Sequence, residues 1–148
     1  MDLKTTFTNI LKSSMYKIAG INQMVLIEKT SGNVISSFSK FSRADNLAQV
    51  AEFSLTLDKL SQLNKRNLEV NTIEFDTGEK LFTINGGKNL ILSAVSDKNT
   101  QIGISRMYLK KLAKNLDGKY PLVKSKLERF SRNRDLANIF GELIQKDS

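Results

Sequence analysis

Apolar positions along the chain first follow a helical period and then a strand period. From Leu3 to Ile18, apolar residues recur every three or four positions, which predicts a helix that stops near Gly20. Two short apolar runs follow, at 23–28 and 34–38, and a turn containing Gly and Asn separates them. Two such runs around this kind of turn predict a β-hairpin.

A longer helix is predicted from the capping pattern Ser-x-x-Asp at 42–45 to about Lys65. At about 100° per residue, its apolar side chains cover roughly two thirds of the circumference. They are Leu47, Val50, Ala51, Phe53, Leu55, Leu57 and Leu60. A helix with one buried face needs a stripe only somewhat wider than 100°. We therefore expect its own sheet to cover one side and a second subunit the other. The alternative is a helix buried entirely in its own domain.

Three further strands are predicted at 70–75, 80–85 and 90–95, joined by short turns that contain Gly. Short turns between consecutive strands indicate an antiparallel meander. The run at 90–95 is almost continuously apolar, which is typical of a central strand.

The last third of the chain predicts two helices, one from about 101 to 116 and one from Pro121 to about 145, with a break at 117–121. The sequence thus divides into a domain at 1–117 and a basic helical extension at 118–148. The fold class is α+β: helix-β-β-helix-β-β-β-helix with a five-stranded antiparallel sheet, plus an extra C-terminal helix.

Residues 3–116 resemble the roadblock family, the domain named for a dynein light chain, whose fold is of the roadblock/profilin-like type. Four segments carry the resemblance, in the right order and spacing. They are Ile18-Ala19-Gly20-Ile21, Ser31-Gly32-Asn33-Val34-Ile35-Ser36, Leu47-Ala48-Gln49-Val50-Ala51 and Asn99-Thr100-Gln101-Ile102-Gly103-Ile104-Ser105-Arg106.

The resemblance implies a non-enzymatic scaffold that dimerises, either with a second copy or with another roadblock chain. In that family the long helix packs beside its counterpart and the third strand pairs with its counterpart. The expected contact residues are Val50, Phe53, Leu57, Leu60, Val70, Thr72, Ile73 and Phe75. Strand 70–75 could instead be a protected edge with no partner.

The resemblance also implies a Ras-like GTPase as partner, whose GTP hydrolysis or nucleotide exchange the contact could alter. Arg43, Arg66 and Arg106 are candidates for an arginine contribution by residue type alone.

The composition favours binding over catalysis. The chain has no Cys and no His, which excludes disulfides, Cys/His zinc sites, Cys nucleophiles and Ser-His-Asp triads. We therefore expect no catalytic, cofactor-binding or metal-binding residues. Glu74 and Asp76 lack an evident third ligand, and Gly86-Gly87-Lys88 lies between two strands instead of ahead of a helix, as a phosphate loop would.

The net charge of +8 is concentrated in one segment. Residues 106–134 carry 10 basic and 2 acidic side chains. The basic residues are Arg106, Lys110, Lys111, Lys114, Lys119, Lys124, Lys126, Arg129, Arg132 and Arg134. Such a segment attracts an anionic partner. An acidic GTPase surface, acidic lipid head groups and nucleic acid all fit, and a simply solvated face is the alternative.

No run reaches the 18 or so apolar residues that a membrane span requires, so no transmembrane segment is expected. The first 18 residues show no signal-peptide pattern. We expect a cytoplasmic protein.

Overall fold

The computed structural model describes the backbone of residues 3–40, 47–63 and 68–146, and the side chains of 5–40, 48–62 and 68–125. The elements follow the predicted order. They are α1 (Leu3–Met15), β1 (Ile21–Glu28), β2 (Val34–Ser39), α2 (Leu47–Leu63), β3 (Val70–Glu74), β4 (Lys80–Asn85), β5 (Leu90–Ser96) and α3 (Ile102–Lys146). The capping pattern predicted at 42–45 lies outside the described residues.

The five strands form one antiparallel sheet in the order β2-β1-β5-β4-β3. The predicted α+β class and the meander of β3, β4 and β5 are confirmed. Strand β5 occupies the central position that its apolar sequence predicted, and β3 lies at one edge.

The two faces of the sheet are covered unequally. On one face, α1 and α3 enclose the larger core, which contains Phe7, Met24, Phe82 and Leu92. On the other face, α2 packs on β1, β2 and β5. The smaller core there includes Val50. Among the described residues, α2 is the only helix on this face. Strand β4 is nevertheless buried, while the edge strand β3 is only partly buried.

Helix α3 does not end where the sequence predicted. The expected break at 117–121 and the separate fourth helix are wrong, because α3 continues through Pro121 to Lys146. Tyr120 is buried in the larger core, its ring centroid 6.3 Å from that of Phe7, and Val123 packs against the same core. These contacts hold the helix against the larger core on both sides of Pro121. The division into 1–117 and 118–148 stays a prediction.

A side chain from the β4–β5 turn compensates for the proline. Pro121 has no N–H to donate to the carbonyl of Asp117, four residues earlier. Asn89 Nδ2 donates to that carbonyl oxygen at 3.5 Å and to Asp117 Oδ1 at 3.2 Å. Proline at this position favours the end of a helix, but the contact of Asp117 with Asn89, 28 positions away in the chain, keeps the helix continuous.

The Asp117 carboxylate also fixes the turn against the helix. It accepts the backbone N–H groups of Asn89 at 2.9 Å and Leu90 at 2.8 Å, and the side chain is only 8% exposed. The turn must approach closely to make these bonds. A Cβ on Gly86 would lie 2.8 Å from the Ala113 carbonyl oxygen, and one on Gly87 would lie 2.9 Å from Asp117 Oδ1. Gly86 and Gly87 form the turn between two strands that the sequence predicted, and their close packing against α3 is a contact that it did not predict.

We expect Asp117→Ala to lower the free energy of unfolding by roughly 2–4 kcal/mol, because it leaves the buried N–H of Leu90 and the partly buried N–H of Asn89 without an acceptor. Urea unfolding at a fixed protein concentration measures this change. Asn115→Ala, at an exposed position on the same helix, should change it by less than about 0.5 kcal/mol. Equal effects of the two substitutions would contradict the assigned role of Asp117.

Candidate partner-binding surfaces

Three apolar side chains form an exposed stripe along α2. Phe53, Leu57 and Leu60 follow one another at helical spacing. Phe53 is 42% exposed and Leu60 is 53% exposed, while Leu57 is half-buried. We call these residues the α2 stripe. The apolar side chains around this helix are thus only partly covered by its own domain, as the sequence predicted.

The opposite side of α2 packs on the sheet. Val50, Ala51 and Ser54 are buried, and Ser54 Oγ lies 2.5 Å from Ser93 Oγ on β5 while donating to the Val50 carbonyl oxygen. Small residues at this contact let the helix approach the strands closely. This side of α2 contributes Val50 and Ala51 to the smaller core.

The α2 stripe points away from the β1–β2 turn. Leu55 lies beside that turn, since a Cβ on Gly32 would meet Leu55 Cδ1 at 2.9 Å. The stripe residues lie about 140–200° around the helix from Leu55. Val50, which is closer to them around the helix, shares the smaller core with Leu81 on β4 and Ile73 on β3.

The edge strand β3 continues this surface. Its register with β4 pairs Ile73 with Leu81, and both side chains belong to the smaller core on the α2 face. Phe75, directly after the strand, is 48% exposed. Because β3 is last in the sheet order, one side of its backbone has no neighbouring strand among the described residues.

The eight residues predicted for a dimer contact fall into three groups. Phe53, Leu57, Leu60, Ile73 and Phe75 lie on the α2 face and surround its uncovered part. Val70 and Thr72 lie on β3, and Val70 packs toward the opposite core. Val50 is buried against its own sheet, so it offers little surface to a partner.

The predicted cations are distributed over several sites. Lys110 Nζ lies 2.8 Å from Glu69 Oε1, and Lys114 Nζ lies 3.9 Å from the same oxygen. The hydrogen bond from Lys110 and its positive charge hold the pKa of Glu69 below its ordinary value. Arg106 is exposed and adds a weaker attraction at the same carboxylate.

Lys124 contacts a different carboxylate. Its Nζ lies 3.3 Å from Glu28 Oε2 at the end of β1 and 5.5 Å from the centroid of the Tyr120 ring. Burial raises the pKa of Glu28, but hydrogen bonds from Ser31 and Lys124 and the Lys124 charge outweigh burial, so the pKa is lowered overall. This pair holds α3 to the sheet just beyond Pro121.

Lys111 and Lys119 project between α3 and α1, where they line a groove together with Lys17. Lys17 was missed in the sequence because it is 94 positions from Lys111. Side chains of Lys126, Arg129, Arg132 and Arg134 lie outside the described residues, as do Arg43 and Arg66.

The described residues hold no group of three potential metal-ligating side chains of the His, Cys, Asp or Glu type. Within the same part of the chain, no helix combines the length and apolar character needed to cross a membrane.

Solved structures with a similar fold come from several organisms. MglB from Myxococcus xanthus superposes with a TM-score of 0.69 at 20% identity, covering 83% of this chain and 93% of that one. A roadblock/LC7 domain from Streptomyces avermitilis gives a TM-score of 0.66 at 15% identity, covering 81% and 98%. This chain has the roadblock fold. A profilin from Schizosaccharomyces pombe is more distant, with a TM-score of 0.56 at 13% identity and coverage of 75% and 96%.

The resemblance on the quoted segments and these superpositions agree on a roadblock-type, profilin-like fold. No family model matches the sequence. No curated protein matches it either.

The Glu28–Lys124 contact makes a pH-dependent contribution to the stability of the roadblock fold. The pKa of Glu28 is lower in the folded state, so the contribution is complete above about pH 4.5 and is lost as pH falls through the folded-state pKa. We expect Lys124→Gln to lower the Tm at pH 7 and to have a smaller effect near pH 3. Thermal unfolding of both proteins across this range tests it.

Lys88→Gln, at an exposed position in the β4–β5 turn, removes the same charge without touching Glu28 and is the control. A Lys124→Gln effect that does not shrink on acidification would contradict the contribution assigned to Glu28.

Proposed function

We propose that the chain is a non-enzymatic scaffold that forms a two-fold dimer through the α2 stripe and strand β3 and binds a small Ras-like GTPase. The observation that carries the dimer is the exposed α2 stripe, together with the edge strand β3, which among the described residues pairs on one side only. A second copy placed across a two-fold axis would cover both features at once.

A self-complementary contact suits this surface. In a two-fold dimer the same patch serves both subunits, so apolar residues meet apolar residues. Pairing β3 with its counterpart would give the edge backbone the hydrogen bonds that it lacks in one copy. Phe53 and Phe75 supply the large aromatic side chains that often contribute most to such interfaces. A second, different roadblock chain would satisfy the same geometry.

The GTPase part of the proposal rests on the roadblock resemblance and the shared fold. It is argued by analogy, since a fold by itself does not carry a function. In this proposal the dimer presents a continuous surface that contacts the switch segments of the GTPase. These segments are ordered by the γ-phosphate, so the contact would favour the GTP form and alter hydrolysis or exchange.

Several of the described charges are unavailable to an anionic lipid or nucleic acid. Lys110, Lys114 and Lys124 are engaged by Glu69 and Glu28 of the same chain. The clustered charge in the sequence is therefore partly neutralised within the fold.

The dimer is tested by the double substitution Phe53→Asp and Leu60→Asp. The wild-type protein should have about twice the chain mass of 16.6 kDa in sedimentation velocity. The variant should weaken association by about 100-fold or more, because charges would be buried without partners at the contact. Both positions are exposed in one subunit, so the variant should still fold.

A matched control carries Ala48→Asp and Lys59→Gln, which change the charge equally at exposed positions on another side of α2. It should remain dimeric. A wild-type protein that sediments as a monomer at micromolar concentration would refute the dimer, as would equal dissociation of both variants.

The GTPase proposal is tested separately with purified Ras-like GTPases from the same organism. Each is loaded with GDP or a non-hydrolysable GTP analogue, and binding is measured by biolayer interferometry. We expect binding to the triphosphate form, and at least about tenfold weaker binding with the Phe53→Asp/Leu60→Asp variant, because each dimer presents a surface built from two subunits. A confirmed dimer that binds none of these GTPases in either state would overturn the assignment of the partner while leaving the dimer intact.

A further inference from the structure

A groove of about 360 Å³ lies between α1 and α3, on the face of the sheet opposite α2. Its floor is apolar and includes Ile10 and Leu112 from the two helices and Ile18 from the segment after α1. Its rim carries three cations, Lys17, Lys111 and Lys119. An apolar floor with a few polar groups at the rim is the usual composition of a binding site.

The apolar surface extends beyond the groove along α3. Ile104, Met107 and Tyr108 precede Leu112 at helical spacing, and each of the three is about half exposed. From Ile104 to Lys119 the helix rises about 22 Å, at roughly 1.5 Å per residue. This length corresponds to about four helical turns. The surface is therefore elongated, which favours a segment of a protein chain over a compact small molecule.

The charges around the groove differ from three other cations of α3. Lys110, Lys114 and Lys124 each lie within 4 Å of a carboxylate of the same chain. Within the described residues, Lys17, Lys111 and Lys119 have no such acidic neighbour. The groove thus holds three uncompensated positive charges around an apolar surface, and its electrostatic complement is acidic.

We propose that the α1–α3 groove binds an amphipathic helix of a protein partner, with acidic residues flanking its apolar stripe. A helix that packs its apolar side into a groove between two helices is a common mode of peptide recognition. The site lies on the other face of the sheet from the α2 stripe. It stays open in the proposed dimer and does not depend on the GTPase proposal.

The probe is a phage-displayed library of 18-residue helical peptides, selected against the full-length wild-type protein. We expect the enriched peptides to carry Asp or Glu beside Leu, Ile or Phe at helical spacing. The best peptide is then synthesised with a fluorescent label, and its Kd is measured by anisotropy. Peptides without acidic enrichment would overturn the proposal.

Two variants of equal charge locate the site. Lys111→Gln/Lys119→Gln should weaken peptide binding by about five- to tenfold, from the loss of two partly exposed ion pairs. Lys110→Gln/Lys114→Gln removes the same charge from the same helix, outside the groove, and should change the Kd by less than about twofold. Tyr108→Ser should also weaken binding, because it truncates an exposed apolar contact of the groove. Equal effects of the two double variants would overturn the proposal in favour of general charge attraction.

Vesicles of phosphatidylcholine and phosphatidylserine provide the competing outcome. We expect the protein not to co-sediment with them at physiological salt. Vesicle binding that Lys111→Gln/Lys119→Gln abolishes would assign the groove to a membrane surface and refute the protein partner. Thermal unfolding of every variant confirms that the comparison is between folded proteins.

Discussion

A five-stranded sheet has two apolar faces, and the three helices in the described part of the chain are divided unequally between them. Helices α1 and α3 enclose one face, while α2 packs on β1, β2 and β5 of the other. On the second face β4 is buried, while the edge strand β3 is only partly buried. Phe53 and Leu60 on α2 and Phe75 after β3 are exposed. In the proposed dimer, a second copy would remove this apolar surface from water and pair with the edge strand.

Folding separates the basic residues that are clustered in the sequence. In the sequence, ten cations within 106–134 form one basic segment. On the helix, successive residues point in different directions, so the segment separates into distinct groups. Lys110 and Lys114 meet Glu69, and Lys124 meets Glu28. Lys111 and Lys119 join Lys17, from the segment after α1, around an apolar groove. Ion pairs between exposed groups contribute little to stability. The main consequence of this separation is that attraction for an acidic partner remains at the groove.

The contact between Asp117, Asn89 and Pro121 shows how a local rule is overridden. Proline inside a helix leaves a carbonyl without its donor, and this usually bends or ends the helix. Here Asn89 supplies a donor, and the Asp117 carboxylate in turn satisfies two N–H groups of the β4–β5 turn. Gly86 and Gly87 allow the close approach. The turn and the helix therefore stabilise one another, and α3 can extend beyond the sheet as a continuous helix.

Local patterns predicted the element order, the central place of β5 and the surplus of apolar residues on α2, because period, turn residues and burial leave direct traces in neighbouring positions. The same patterns placed a helix end at Pro121, because a local pattern contains no information about the contact with Asn89, which is distant in the sequence. They also grouped Val50 with Phe53, although the fold buries the first against its own sheet and exposes the second. Local patterns also could not predict that Lys17 lines the same groove as Lys111 and Lys119. Sequence thus determined which segments form helices and strands and how much apolar surface each carries. Only the tertiary structure decided which side chains remain exposed and which charges remain uncompensated, because both depend on residues that are distant in the chain and adjacent in space.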